Sequence, residues 1–182
     1  MKKIAAAAII LLLLVAGCQD ANKNELDTSK LKKVEMKDVT DKQKENMPIT
    51  YEAASVKEGM EALPFEMKLP EELSFDATFQ PPIIEDLNHD GKVLMATFRA
   101  LPKKQDDTNI LIVKADYPVT KSKEPNFEEI KLNNGVNGKY YNNNLVFQLK
   151  DVSYTIIYIN KSVPTEEHKK EIINIANQMV EK

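Results

Sequence analysis

Between residues 152 and 159, Val152, Tyr154, Ile156 and Tyr158 occupy every second position. A period of two puts all four side chains on one face of an extended strand, whereas on a helix they would scatter around the axis. Three other segments carry the same signal. Leu94, Ala96 and Phe98 alternate within 93–100, Leu111, Val113, Ala115 and Tyr117 within 110–117, and Leu145, Phe147 and Leu149 within 145–150. Each run is bounded by turn residues. Four such runs predict a sheet with one well-buried face, and the tight connection around Asp151 predicts that the last two form an antiparallel hairpin.

The remaining elements follow from other signals. Pro164 and Thr165 introduce Glu166 and Glu167, after which Ile172, Ile175, Ala176, Met179 and Val180 recur at helical spacing; this predicts a C-terminal amphipathic helix with acidic residues at its positive end. Such a helix needs a partner surface, and the sheet provides it. Ser55 and Glu58 stand at capping-box spacing, with Val56, Met60 and Leu63 on one face and Pro64 as the stop, which predicts a short helix over 55–63. Segments 65–70 and 73–84 read as extended chain broken by prolines, with Pro81 and Pro82 confining any strand there to an edge or a bulge. Asn133 to Asn144 is rich in Asn and Gly and must turn at least twice, with Tyr140 and Tyr141 forming a short strand between the turns. The expected fold class is α+β, a single twisted antiparallel sheet of five to seven strands with a C-terminal helix and a short N-terminal helix packed on it.

At the other end of the chain, Lys2 and Lys3 precede an apolar run of about 13 residues, too short for a permanent membrane-spanning helix of roughly 20. Val15, Ala16 and Gly17 then lead into Cys18, the one cysteine in the sequence. This arrangement resembles the signal peptide and lipobox of a bacterial lipoprotein precursor. The resemblance implies removal of residues 1–17 by cleavage between Gly17 and Cys18, and a diacylglyceryl thioether on Cys18. The chain would then be anchored to the cell membrane at its extracytoplasmic face without spanning it. The alternative is a buried thiol in a core helix. No cysteine is left for a disulfide or a zinc site.

Without Lys2 and Lys3, 23 basic residues face 28 acidic ones, a charge of about −5, which argues against nucleic acid as a partner. Residues 18–50 are dominated by Lys, Glu, Asp, Asn and Gln, and no aromatic residue occurs from Gln19 to Pro48. Composition of that kind predicts a lipidated N-terminus followed by a polar, flexible tether. Residues 51–182 remain as one domain of ordinary size.

Several landmarks of that domain are similar to an uncharacterised family of exported bacterial domains, found in lipoproteins and in membrane proteins associated with anti-sigma-factor regulation. They are Phe65-Glu66-Met67-Lys68-Leu69-Pro70, Asn137-Gly138-Lys139-Tyr140-Tyr141, Leu145-Val146-Phe147, Tyr154-Thr155-Ile156 and the closing Ile175-Ala176-Asn177-Gln178-Met179. The resemblance covers residues 53–182 and implies an α+β domain without assigned catalytic residues.

Among local motifs, Asp86, Asn88 and Asp90 place oxygen ligands at alternate positions with Gly91 sixth, as calcium loops do. Thr97 stands where a bidentate glutamate belongs, and Pro81-Pro82-Ile83-Ile84 is not an incoming helix. The loop therefore reads first as a hairpin turn through Asp90-Gly91 and second as a calcium site to which Glu85 adds a ligand. His89 lies in that loop. His168, four residues before Ile172, falls at the polar end of the last helix's packing face, solvated or half-buried. No serine sits in a nucleophile elbow. The acidic pairs Glu71-Glu72, Asp106-Asp107, Glu128-Glu129 and Glu166-Glu167 read as solvated charge, since a glycosidase needs carboxyls facing each other across a cleft. Arg99, Lys103 and Lys104 read as charges that discourage strand-edge aggregation. Tyr140, Tyr141, Tyr154 and Tyr158 read as core rings with hydroxyls at the rim, or alternatively as the lining of a carbohydrate or peptide groove.

These observations lead to the expectation of a non-catalytic binding or sensing module, anchored to the membrane by lipid and requiring no cofactor, with an envelope protein, peptide or glycan as partner. The alternatives are a small envelope hydrolase using Glu85, Asp86 or Asp90, and a calcium-stiffened structural spacer.

Overall fold

The four alternating segments pair as antiparallel strands at the centre of one large sheet. The computed structural model describes residues 24–104, 108–119, 126–160 and 163–181. Among these, ten strands occur: β1 Lys32–Lys33, β2 Ile49–Glu52, β3 Ala77–Phe79, β4 Ile83–Asp86, β5 Leu94–Pro102, β6 Ile110–Tyr117, β7 Glu128–Lys131, β8 Asn137–Tyr141, β9 Asn144–Leu149 and β10 Val152–Ile159. Their order across the sheet is β1-β2-β4-β5-β6-β10-β9-β8-β7, with β3 alongside β5. The architecture is α+β as expected, but the sheet is wider than five to seven strands. The additional strands are two to five residues long, too short for alternation to register in the sequence.

A single row of paired residues shows how one face becomes the core. It runs from Lys33 through Tyr51, Ile84, Ala96, Ala115, Tyr154, Phe147 and Gly138 to Ile130. From Ile84 to Ile130 every member is buried. On the opposite face the corresponding row is Arg99, Ile112, Ile157, Asn144 and Tyr141, and none of these is buried. The turn between β8 and β9 consists of Asn142 and Asn143, both at positive φ (47° and 61°), the geometry of a tight hairpin turn that asparagine tolerates. Pro81 and Pro82 separate β3 from β4, and both short strands lie along the same edge of β5. Neither proline therefore has to donate a ladder hydrogen bond.

Among the described residues, three α-helices accompany the sheet: α1 Asp41–Lys44, α2 Val56–Ala62 and α3 Thr165–Val180. Helix α3 lies across β9 and β10, burying Ile172, Ile175, Ala176 and Met179. Each of the isoleucine and methionine side chains removed from water contributes roughly 1.5–3 kcal/mol. Thr40 and Gln43 form a full capping box at the start of α1. At α2, Ser55 Oγ accepts from the Glu58 N–H at 3.2 Å, as the spacing predicts.

Within the segment expected to be a flexible tether over 18–50, several described residues from Leu26 onward lie against the rest of the domain. Leu26 is only 6% exposed and joins the core; its N–H donates to Gly91 O at 2.8 Å, and the Asp27 N–H donates to Ala62 O at 2.9 Å. Further on, β1 pairs with β2, and the Val34 N–H donates to Thr50 O at 2.8 Å. Composition averages over a window, whereas one well-placed leucine and a few backbone hydrogen bonds are enough to hold a polar segment against an existing sheet edge.

Gly59 in α2 faces the ring of Pro82, and a methyl group there would collide with it. Helix propensity alone would make Gly59→Ala stabilising by about 1 kcal/mol. Overpacking reverses that sign, so Gly59→Ala is expected to lower stability by about 1–3 kcal/mol in a urea titration. A variant as stable as the parent would show that α2 is free to move off Pro82.

Candidate functional site

Among the described residues, three concavities of ligand size stand out. One, of about 670 Å³, lies between the loop 34–48 and β2, with His89 at its side. A second, of about 570 Å³, is walled entirely by residues 70–79 and is the inside of a single loop. The third, of about 410 Å³, is built from four separate parts of the chain and is the best-formed candidate. Phe65 and Tyr117 form one wall, their ring centroids 5.0 Å apart. Tyr154, Leu149, Val152 and Met179 form the floor and far side, and Glu66, Lys68, Lys150 and Asp151 supply charge.

Local structure explains each of these placements. Tyr154 belongs to the buried face of β10, and its hydroxyl reaches beyond the sheet to the segment after α2. There it accepts from the Lys68 N–H and donates to Glu66 O, both at 3.2 Å. This bond pair holds 65–68 over the end of the sheet and positions the Phe65 ring against Tyr117. Burial raises the Tyr154 hydroxyl from 10.0 to about 12, so it stays protonated at neutral pH. The Lys68 ammonium bonds the Glu66 carboxylate and, by that bond and its charge, holds Glu66 below its usual range. The site therefore offers apolar and aromatic walls, a neutral phenol already engaged on both sides, and an ionised Lys–Glu pair. The lining also includes Lys150 and Asp151, and it contains no serine, cysteine or histidine.

The Asp86–Asp90 loop is put to a different use. Asp86 is 4% exposed, and its Oδ2 accepts from the Gly91 N–H at 3.0 Å, leaving Oδ1 buried without a hydrogen-bond partner. Asp90 Oδ1 accepts from the Lys92 N–H at 2.9 Å, and the Leu87 N–H donates to Val93 O at 2.8 Å, closing the hairpin. Asn88 is exposed. Both aspartates act as acceptors for the turn. Glu85 sits on the other face of β4, opposite Met95, so it and Asp86 cannot converge on one ligand. Among the described residues no group of three His, Cys, Asp or Glu side chains is placed to hold a metal.

The histidines differ in environment. His89 is exposed, with Nε2 2.7 Å from Met47 O. His168 is only 5% exposed, a correction to the expectation of a solvated or half-buried residue. Its Nε2 lies 2.6 Å from Tyr158 O, and because a carbonyl can only accept, the ring donates there. The imidazole stacks on Tyr158 at 5.3 Å, and Nδ1 is buried without a partner. The Tyr158 hydroxyl is itself shared with Ser74 Oγ and the Asn160 amide. His168 thus ties the start of α3 to β10.

The tyrosines do not form one groove. Tyr154 and Tyr158 lie in the core, Tyr140 shares their face near Lys169, and Tyr141 is on the opposite face. The acidic pairs do not oppose each other either. Glu128 binds Lys169, the backbone N–H groups of Glu71 and Glu72 donate to the Gln178 side-chain oxygen, and Glu166 and Glu167 are exposed in the first turn of α3. Asp106-Asp107, Gly17 and Cys18 lie outside the described residues. Sequence reasoning did not connect Phe65, Lys68 and Tyr117, because no local pattern links a post-helix loop to the end of a distant strand. Compared with models of known protein families, with curated proteins and with solved structures, the chain matches none.

The Tyr154 hydroxyl gives a pH-dependent test. A phenol whose folded pKa is raised contributes stability that is complete below pH about 10 and is lost as pH rises through about 12. The effect amounts to about 2–3 kcal/mol. Tyr154→Phe should cost about 1–2 kcal/mol at neutral pH through the two lost hydrogen bonds. It should also flatten the alkaline fall seen in urea midpoints of the parent; an unchanged alkaline slope would show that Tyr154 ionises freely.

Proposed function

We propose that this chain is a lipid-anchored extracytoplasmic lipoprotein, acylated at Cys18 after cleavage behind Gly17, whose domain is a non-catalytic binding module. The anchoring part of this reading rests on the sequence Val15-Ala16-Gly17-Cys18 behind a charged start and an apolar run. Among the described residues no helix is long and apolar enough to cross a membrane. The binding part is supported chiefly by the cleft of Phe65, Tyr117, Tyr154 and Met179, whose apolar walls carry an ionised Lys68–Glu66 pair at the rim. Such a cleft favours an apolar or aromatic side chain carried on a polar peptide, the chemistry of an envelope protein segment.

Two experiments separate the parts. Cys18→Ala should abolish metabolic labelling by a palmitate analogue and move the protein from the membrane fraction to the soluble one, while its thermal melt stays unchanged. A variant still labelled would overturn the anchoring reading. For the cleft, the dye 1-anilinonaphthalene-8-sulfonate is a suitable probe, being aromatic and anionic. Phe65→Ala should weaken its binding by roughly tenfold if the wall of Phe65 and Tyr117 holds it. Equal dye binding by a folded Phe65→Ala protein would place the binding surface elsewhere.

A further inference from the structure

We infer that the concavity between the loop 34–48 and β2 is a site for a soft monovalent metal ion, copper(I), with the thioethers of Met36 and Met47 and Nδ1 of His89 as its ligands.

Methionine ordinarily fills irregular gaps in a core, and Met67 and Met179 are buried in that way here. Met36 and Met47 are not. Neither belongs to the core cluster or packs against it, and Met47 is 39% exposed. Both line the same concavity, and His89 lines it with them. Two thioethers that the core does not use and one imidazole are therefore brought to one surface from three separate points in the sequence.

The imidazole is already oriented as a ligand. Its Nε2 lies 2.7 Å from Met47 O. A carbonyl can only accept, so Nε2 carries the proton and the lone pair of the neutral ring is on Nδ1. Among the described residues Nδ1 has no hydrogen-bond partner. Metal-binding histidines commonly donate their other ring N–H to a backbone carbonyl, which fixes the tautomer and the direction of the ring. Here that carbonyl belongs to Met47, so the bond that orients the imidazole also joins it to the residue supplying one of the thioethers.

The donor set selects the ion. Thioether sulfur is soft and favours copper(I), whereas calcium and magnesium take oxygen ligands and zinc takes thiolate, imidazole or carboxylate. Charge in the lining points the same way. Lys33 and Lys44 offset Glu35 and Glu45, which leaves no net negative charge to hold a divalent ion. A monovalent ion on neutral ligands does not need one. The site shares no residue with the cleft of Phe65 and Tyr117, so the two can be occupied independently.

The test uses the full chain carrying Cys18→Ala, which leaves no thiol to compete for the metal. Copper(I), kept reduced by ascorbate under nitrogen, is titrated in competition with the chromophoric chelator bicinchoninate. The protein is expected to withdraw stoichiometric copper from the chelator, to melt at a higher temperature when loaded, and to show sulfur neighbours of copper in X-ray absorption. Met36→Leu, Met47→Leu and His89→Asn should each weaken copper retention by roughly tenfold or more, with the melt of the metal-free protein unchanged. Met60→Leu, at a methionine that packs on the core, should leave retention as it is. Failure to withdraw copper, retention unaffected by the three substitutions, or tighter binding of zinc(II) than of copper(I) overturns the site. If a substitution lowers the metal-free melt, the X-ray absorption of the loaded parent decides, and copper without sulfur neighbours overturns it.

Discussion

The pairing of β6 with β10 is the constraint on which the rest of the structure depends. These strands come from distant parts of the chain, and they join over Ser153–Ile159 against Asp116–Ile110. On one side lies the run β2-β4-β5-β6, on the other the meander β7-β8-β9-β10. Neither half buries its apolar face without the other. A shift by one residue would turn Tyr154, Ile156 and Tyr158 away from Ala115, Val113 and Leu111 and into solvent, so the register is strongly held. Once it is set, only one face can receive α3, and the last residue of β6, Tyr117, is brought beside Tyr154.

What covers that face is less regular than the sheet beneath it. Helix α3 lies over β9 and β10, while the chain after α2 contributes Leu63, Met67, Leu69, Leu73 and Phe75 to the core as irregular backbone. Irregular segments need side-chain partners for their backbone groups. The Tyr154 hydroxyl serves Glu66 and Lys68, and Gln178 of α3 serves Glu71 and Glu72 through both its oxygen and its amide nitrogen. The cleft is the gap left where these two coverings meet the end of the sheet. Its position is thus a by-product of how the face is covered, and its chemistry comes from the residues that pin the covering down.

The parts of this fold legible in the sequence are those whose signals are local and long enough to repeat. The expected segments 110–117 and 152–159 coincide with β6 and β10, and the capped helix expected over 55–63 encloses α2. β1 and β2 were not legible as strands, and β3 and β4 were legible only as extended chain broken by prolines over 73–84, because two to four residues cannot display a period. The ordered stretch from Leu26 to Pro48 was hidden for a different reason. Its lysines and glutamates satisfy the compositional rule for disorder, and Lys32 and Lys33 form the outermost strand, where charge is suited to an edge. His168 is a similar case: its sequence position gave the correct helix face but not the depth, because depth was set by the stacking of Tyr158 beneath it.

By itself the sequence determined the α+β class of the domain and which face of each central strand is apolar, both of which follow from short-range periodicity. Only the tertiary structure decided which groups meet. It separated Glu85 from Asp86 by placing them on opposite faces of β4, and it turned Asp86 and Asp90 onto the backbone of their own hairpin. It also brought Phe65, Lys68, Tyr117 and Tyr154 to one cleft. The physical reason is that alternation fixes the face on which a side chain lies, while its neighbours on that face are chosen by long-range pairing between strands that share no local signal.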